Sequence, residues 1–328
     1  MTNTAKRAGS QAGATSPAAQ STAGPTYRAR RLTVLDAPSS LGLRPNAHGG
    51  VPGTYKAPGI LRGTGLVRDL RAEDAGAVVP APYNAARTFG TVRNEAAIAD
   101  FSLRLADRLG GIADRRGTAV VLGGDCSILV GVGVALRRRG RFGLVSFDGL
   151  DYRHPGNSDA VGSAGGESLA LVTGLGGSLA DLDGLRSYVR SGDVVSIGPR
   201  PDDEFATEAA RNGIRVIDSR VAARAPAEAA QEALDTVTRP ELDGFWVHLD
   251  ADVIDPGEMP AVDSPEPEGL SFDHLTAALA PLLADPRLAG LDATIYDPDL
   301  DPHLRCGRRL SDLLVSAFAQ GPETPLSA

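Results

Sequence analysis

Short apolar runs alternate with segments of helical spacing along most of this chain, and this alternation constrains the fold more than any other feature. The runs TAVVLGG (118–124), FGLVSFD (142–148) and GFWVHLD (244–250) stay apolar at nearly every position, which is typical of buried parallel strands. Residues 94–115 instead carry apolar side chains at helical spacing. Strands that alternate with helices predict an α/β fold, in which helices cover both faces of a mostly parallel sheet.

The remaining segments extend this pattern to both ends of the chain. Further strands are predicted at 30–38, 75–82, 193–200, 214–218 and 288–298. Further helices are predicted at 127–139, 165–174, 202–211, 219–237, 271–284 and 308–319. The Gly/Pro-rich stretch from Leu41 to Gly65 is predicted to be a loop, and loops of this length are commonly functional.

Composition indicates one folded domain. The chain has 328 residues, of which 42% are hydrophobic, and this is enough for a single core over residues 27–328. Residues 1–26 are mostly Ala, Ser, Thr, Gly and Gln without an apolar middle, so they are predicted to form a disordered tail; a cleaved leader is the alternative. Two cysteines do not make a disulfide framework, and a cytoplasmic location is the default expectation.

The charge of the chain argues against polyanionic partners. The formal net charge is −8 and no basic cluster stands out, so neither nucleic acid nor an anionic membrane surface is expected as a partner. No apolar stretch is long enough to span a bilayer. A small-molecule substrate is the expected partner, and the 38–65 and 153–190 loops are expected to determine which one.

Two acidic doublets follow apolar runs. Asp148 and Asp151 lie in GLVSFDGLD, and Asp250 and Asp252 lie in WVHLDADVIDP. Sites in parallel sheets lie outside the carboxyl ends of the strands, so the four carboxylates are expected to converge. Carboxylates that converge repel each other unless a cation lies between them, and a pair of divalent metal ions is the simplest such cation.

His248 extends the second doublet. Side chains two residues apart share one face of a strand, so His248 is expected to point the same way as Asp250 and Asp252. Imidazole is a suitable ligand for Mn, Fe, Co and Zn. In the alternative interpretation, Asp252 or Asp255 caps the following turn and His248 is a half-buried residue whose hydrogen bonds are satisfied.

Three segments together resemble the arginase/agmatinase (ureohydrolase) superfamily. They are GGDCS (123–127), DGLD (148–151) and HLDADVIDP (248–256), beside that family's GGDHS, DAHxD and SxDxDxxDP. SIGPR (196–200) and MPAVDSPEPEGLS (259–271) also resemble family loops, and the resemblance spans roughly residues 31–320. It implies an arginase-like three-layer α/β/α sandwich and a binuclear manganese site that hydrolyses a guanidinium or amidine C–N bond. It also implies a homo-oligomer, either a trimer or a hexamer.

The resemblance assigns roles to the four aspartates. Asp148 and Asp250 would bridge or share both metals. Asp151 would complete the shell of the first metal and Asp252 that of the second. A metal-activated water would then be the nucleophile.

The chain departs from the family motifs at two expected imidazoles. Cys126 replaces the histidine of GGDHS; its thiolate would favour Zn or Fe over Mn, and a small buried apolar residue is the alternative interpretation. DGLD is one residue shorter than DAHxD and has no histidine, although His154 could reach the cleft from just downstream. A gapless alignment would instead place Leu150 at the histidine and Tyr152 at the second aspartate.

Two further family groups are absent. The shuttle histidine falls near 162–166, where Glu167 is the nearest titratable residue and is predicted to carry the proton instead. The glutamate that grips the substrate guanidinium falls near Ile295–Asp297, which makes Asp297 a candidate substrate-binding residue. A carboxylate normally pairs bidentately with a guanidinium, so its displacement weakens the case for an arginine-like substrate.

The sequence features bear on three possible functions. The leading hypothesis is a divergent metal-dependent hydrolase of a guanidino or amidino compound, with Mn as the family metal, Zn or Fe as options, and one ion or none still open. The alternative is an arginase-fold protein that has lost metal catalysis and has a binding or assembly role. A nucleotide-binding domain is disfavoured because no G-x-G-x-x-G or G-x-x-x-x-G-K-[ST] motif follows a strand.

Overall fold

One parallel sheet organises the chain. The computed structural model describes residues 1–2, 30–88, 90–158 and 162–319. The sheet has eight strands in the order β2-β1-β3-β8-β7-β4-β5-β6, and each of its pairings is parallel. The strands are β1 (Leu32–Ala37), β2 (Glu73–Ala77), β3 (Thr118–Gly123), β4 (Phe142–Phe147), β5 (Val194–Ile197), β6 (Arg215–Ile217), β7 (Gly244–Asp250) and β8 (Leu288–Thr294).

Helices connect successive strands. They are α1 (Ala57–Gly63), α2 (Leu66–Asp69), α3 (Glu95–Asp114), α4 (Ile128–Arg137), α5 (Ser168–Val172), α6 (Ala206–Arg211), α7 (Ser219–Arg224), α8 (Pro226–Val237), α9 (Phe272–Ala284) and α10 (Arg305–Ala319). Short 3₁₀ turns complete several connections, among them Gly53–Lys56, Ala164–Glu167, Ala251–Val253 and Pro298–Leu300. None of the helices in the described ranges is long and apolar enough to cross a membrane.

The sheet separates two hydrophobic cores, one on each face. Val120 and Leu122 of β3 pack into a core with α1, α8, α9 and α10. Ala119 and Val121 of the same strand pack into a second core with α3, α4 and α5. Successive side chains of a strand point to opposite faces, so a strand buried on both faces must be apolar throughout. The predicted three-layer α/β/α sandwich with a parallel central sheet is therefore confirmed.

Some element boundaries differ from the sequence prediction. The loop predicted from Leu41 to Gly65 contains α1, whose Pro58 lies in the first helical turn, where a proline is tolerated. The single helix predicted over 219–237 is two helices, because α8 starts anew at Pro226. The second strand ends at Ala77 instead of running from 75 to 82. The predicted disordered tail lies outside the described residues, apart from Met1 and Thr2.

The strand register gathers the candidate residues at one edge. Gly123 at the end of β3 is level with Ala37 of β1, and Asp250 at the end of β7 is level with Thr294 of β8. Leu249 is in turn level with Phe147, the last residue of β4. Because all these strands run in the same direction, the segments that follow them leave the sheet side by side.

Candidate functional site

Four neighbouring strands build the site. The sheet order places β3, β8, β7 and β4 next to one another. Cys126 follows β3, Asp250 ends β7, and Asp148 follows β4. Thr294 at the end of β8 lies between the first two, since its hydroxyl is 3.0 Å from the Cys126 sulfur. Residues more than a hundred positions apart in the chain are thus brought into contact.

Gly124 fixes the path of the loop that carries Cys126. A Cβ atom at Gly124 would lie 1.7 Å from the carbonyl oxygen of Ser39, so only glycine fits. Its amide donates to Ala37, and its carbonyl accepts from the amide of Ile295 at 2.7 Å. The loop is therefore fastened to the ends of β1 and β8, and this fastening holds the sulfur over the sheet edge.

Within the described residues, two groups of side chains have the spacing of metal ligands. One consists of Asp148, Asp250 and Asp252, and the other of Cys126, His248 and Asp250; in each group the ligand atoms lie within 4.8 Å of one another. Asp250 belongs to both groups, and its Oδ2 accepts a hydrogen bond from the Cys126 thiol at 2.7 Å. Asp151 belongs to neither group.

His248 is held by a carboxylate beneath it. Its Nδ1 is 2.5 Å from Asp292 Oδ2, and its Nε2 is 3.8 Å from Asp148 Oδ2. Trp246 donates from Nε1 to Asp292 Oδ1 at 2.5 Å. His248 and Asp292 are register partners on β7 and β8 and both are fully buried. The imidazole is thus oriented with Nε2 toward the acidic cluster.

Burial and crowding raise the pKa of each carboxyl group in the cluster. Burial is the largest cause for all four aspartates, and neighbouring carboxylates add to it for Asp151, Asp250 and Asp252. The pKa of Asp252 is raised to about 7. Burial likewise raises the pKa of the Cys126 thiol, with Asp250 as the next cause. Burial is the largest single influence on the pKa of His248 and lowers it, but the charge and hydrogen bond of Asp292, together with the charges of Asp148 and Asp252, raise the pKa overall.

These residues fit a divalent metal. Among the described side chains, Asp148 Oδ2, Asp252 Oδ1 and His248 Nε2 are buried polar atoms without a hydrogen-bond partner. A buried polar group without a partner costs about 1–3 kcal/mol. Three such atoms beside carboxylates that repel each other form a site for a cation, which would accept their lone pairs and compensate their charge.

Asp151 lies on the wall of the cleft beside the cluster. The charges of Asp148 and Asp252 both act on its carboxyl group, and Ser168 donates to its Oδ2 at 3.4 Å. Tyr152 instead points away into the core, where its hydroxyl accepts from Asn212. This arrangement supports the alignment that keeps Asp151 at the second aspartate of DAHxD. Leu150 lines the cleft with a φ of +89°, a conformation unusual for a residue other than glycine.

The cluster opens into a cleft of about 720 Å³. Arg200 closes one side, since its guanidinium donates to the carbonyls of Asp252 at 2.9 Å and Glu266 at 2.7 Å. Glu167 lines another side, buried, with its Oε1 accepting from the amide of Gly162 at 2.5 Å. Burial raises the pKa of the Glu167 carboxyl group.

The amino-acid sequence identifies the protein family of the chain. The sequence model of the Arginase family matches residues 48–319. The chain belongs to the arginase family. An arginase of Agrobacterium fabrum is 28% identical over 308 residues, which cover 89% of this chain and 94% of that protein.

Solved structures share the arginase fold of this chain. Arginase from Bacillus caldovelox superposes with a TM-score of 0.79 at 24% identity, covering 88% of this chain and 98% of that one. Formimidoylglutamase from Bacillus subtilis superposes with a TM-score of 0.71 at 18% identity, covering 90% and 88%. The fold is thus shared by enzymes whose names indicate different substrates.

Two candidate residues of this arginase-family chain lie outside the cleft lining. The Nε2 of His154 is 3.0 Å from Glu208 on α6, and its Nδ1 accepts from the amide of Gly156, so both ring nitrogens have partners outside the cleft lining. Asp297 accepts from the amides of Gly53 and Asp299 and fastens two 3₁₀ turns together. These hydrogen bonds hold both side chains outside the cleft lining.

Ile295 lines the cleft beside the acidic cluster instead. Its φ of +69° places a β-branched residue in the left-handed region. Such strain is common at functional sites. Where the family's substrate-binding glutamate was expected, the cleft lining therefore contains an apolar residue.

The roles of Asp292 and Arg200 become visible only in the folded chain. Asp292 is an acid inside the apolar run LAGLDAT, and an acid in a buried strand needs a partner. That signal was available, but its partner His248 could not be named without the β7–β8 register. In the sequence, Arg200 is simply the last residue of SIGPR, and nothing indicates that its guanidinium binds the 266–267 carbonyls.

Proposed function

We propose that the chain is a metal-dependent hydrolase of the C–N bond in a guanidino or amidino compound. The observation that carries the proposal is the buried group formed by Asp148, Asp250 and Asp252, which has free oxygen atoms at the end of a large cleft. Membership of the arginase family supports the same reaction class. The predicted homo-oligomer and cytoplasmic location stay predictions.

The aspartates and Arg200 have different proposed roles in the reaction. Asp148 and Asp250 would hold the metal, and Asp252 and Asp151 would complete its shell. Arg200 holds the carbonyl of Asp252 and the 266–267 segment in place and thereby fixes the backbone from which the Asp252 carboxylate projects. When bound, divalent ions supply Lewis acidity, which activates water and stabilises the charge of the transition state.

Glu167 is proposed as the proton carrier. Its carboxyl group is buried on the cleft wall, and burial raises its pKa above the ordinary 4.5. A group whose pKa approaches the working pH is the most effective at taking up and releasing protons. The leaving amine needs a proton, and Glu167 is the acidic group nearest the position of the family's shuttle histidine.

Glu167→Gln is expected to lower kcat by roughly 10²- to 10⁴-fold, the usual contribution of general acid–base catalysis. The metal content and KM should stay close to those of the parent, because the amide keeps the hydrogen bond from Gly162. Steady-state kinetics and a pH–rate profile check this, with Glu228→Gln on the exposed side of α8 as the matched control. A variant with parental kcat would remove Glu167 from the mechanism.

The cleft indicates the charge of the substrate. Arg153 stacks on Phe205, with its guanidinium carbon 5.4 Å from the ring centre, and it forms no ion pair among the described residues. Arg44 also lines the cleft. The lining also holds Asp263 and Glu266, so the two arginines suit the carboxylate and the acids suit the cationic group of an amidine that carries both charges. Compounds such as guanidinobutyrate are therefore preferred candidates over agmatine, which carries no anion.

The direct test joins metal analysis with a hydrolysis assay. Protein purified without chelator is expected to contain a divalent metal and to release urea or an amine from at least one of arginine, agmatine, guanidinobutyrate and hydroxyarginine. Carboxylate-bearing compounds should have the lower KM, and Arg153→Met should remove that preference. Metal-free protein whose thermal stability is the same with and without EDTA would instead support a binding role without catalysis.

A further inference from the structure

We propose that Cys126 and His248, oriented by Asp292, form with Asp250 a sulfur–nitrogen–oxygen metal position that favours Zn²⁺ over Mn²⁺. The inference rests on the proposed metal-dependent function and specifies which atoms bind the ion. In this metal position, one thiolate and one imidazole from a different strand take the place of the two imidazoles that the family has and the chain lacks.

The first support is the orientation of His248. The carboxylate of Asp292 lies 2.5 Å from Nδ1, so Nδ1 carries the proton and Nε2 presents its lone pair. That Nε2 is fully buried and has no hydrogen-bond partner within the described residues. It belongs with the Cys126 sulfur and an Asp250 oxygen to one group within 4.8 Å.

The second support is the fixing of Asp292. Its Oδ1 accepts from Trp246 Nε1, its Oδ2 accepts from His248, and the side chain is fully buried. A metal-binding histidine commonly donates its other ring nitrogen to a carboxylate, which fixes the ring and raises its basicity. Asp292 is therefore a positioning residue for the metal, acting through His248.

The third support is the chemistry of the replaced residues. Cys126 stands where the family motif GGDHS has histidine, and His248 stands where SxDxDxxDP has serine. The chain thus loses an imidazole on β3 and gains one on β7, two strands away in the sheet. Thiolate and imidazole are ligands that Zn²⁺ accepts readily, whereas Mn²⁺ favours oxygen. The thiol proton, now donated to Asp250, would be released when the metal binds.

Cobalt reports the sulfur directly. The full-length chain loaded with Co²⁺ is expected to show the near-ultraviolet charge-transfer absorption of a thiolate–cobalt bond. Cys126→Ser should lose that absorption, while Cys306→Ser, the other buried cysteine of the chain, should keep it. Cys126→Ser should also weaken Zn²⁺ binding more than Mn²⁺ binding in chelator competition.

The imidazole and its carboxylate are tested by affinity. His248→Gln and Asp292→Asn are each expected to weaken Zn²⁺ binding, and the latter by about 10- to 100-fold, as changes behind metal ligands commonly do. Circular dichroism of the metal-free proteins checks that they are folded. If Asp292→Asn does not fold, His248→Gln gives the same test without altering Trp246 or its partner.

Two results separate this inference from the proposed function. A cobalt spectrum without sulfur absorption, together with parental Zn²⁺ affinity in Cys126→Ser and His248→Gln, would overturn the inference even if hydrolysis is observed. Sulfur absorption that depends on Cys126, in a chain that hydrolyses no amidine, would support the inference and contradict the proposed function.

Discussion

Asp250→Asn is expected to abolish hydrolysis and to stabilise the metal-free protein at the same time. Asp250 belongs to both ligand groups, so its loss weakens every metal position in the cluster. Metal ions supply several kcal/mol of transition-state stabilisation, which corresponds to a fall in kcat/KM of at least about 10³-fold. Removing one charge from a group of repelling carboxylates should nevertheless raise the thermal midpoint of the metal-free chain.

Because activity is expected to fall while thermal stability rises, this experiment distinguishes the loss of a metal ligand from misfolding. A variant that simply misfolded would lose both activity and stability. Asparagine keeps an oxygen that can accept from the amide of Asp252, as Asp250 does at 2.8 Å. Asp255→Asn is the matched control, because Asp255 follows the same strand but binds only the turn at Gly257 through its side chain. Full turnover in Asp250→Asn would contradict the proposed mechanism.

Removing the metal is expected to reverse the pH dependence of stability. Folding raises the pKa of Asp252 from 3.8 to about 7, and the other three aspartates shift in the same direction. Between these pH values the folded metal-free chain binds more protons than the unfolded chain. Its stability is therefore greatest below the unfolded pKa and falls as the pH rises through about 7.

The metal-bound chain should behave in the opposite way over the same range. Metal ligands must be deprotonated, so metal affinity increases with pH, and metal at 100 times its dissociation constant adds about 2.7 kcal/mol of stability. Thermal melts with EDTA and with added Zn²⁺ or Mn²⁺, at several pH values, measure both curves. Two parallel curves would show that the carboxylate cluster does not bind the ion.

The strands and the acids at their ends were predictable because both are local features. Apolar runs predict buried strands through their period of two, and parallel strands end at one edge, so Asp148 and Asp250 could be expected to meet. The order β3-β8-β7-β4 was not predictable, because it depends on how non-consecutive strands pair. His248 was therefore recognised as a candidate ligand without its partner Asp292.

The outer parts of the site were harder to predict for the same reason. His154 and Asp297 lie close in sequence to residues of the cleft, but hydrogen bonds to Glu208 and to Gly53, both distant in sequence, help to hold their side chains outside its lining. Only the folded chain reveals which of its polar groups are already used. Arg200 illustrates the reverse case, since its guanidinium reaches carbonyls more than fifty residues away.

The left-handed backbone of Ile295 links folding to ion choice. The amide of Ile295 donates to the carbonyl of Gly124, which lies two residues before Cys126. The unfavourable conformation of Ile295 therefore helps to fix the position of the Cys126 sulfur. Relaxing that conformation, for example with glycine, would let the sulfur drift relative to the imidazole. Selection for a different ion can therefore act at position 295 without replacing a single ligand.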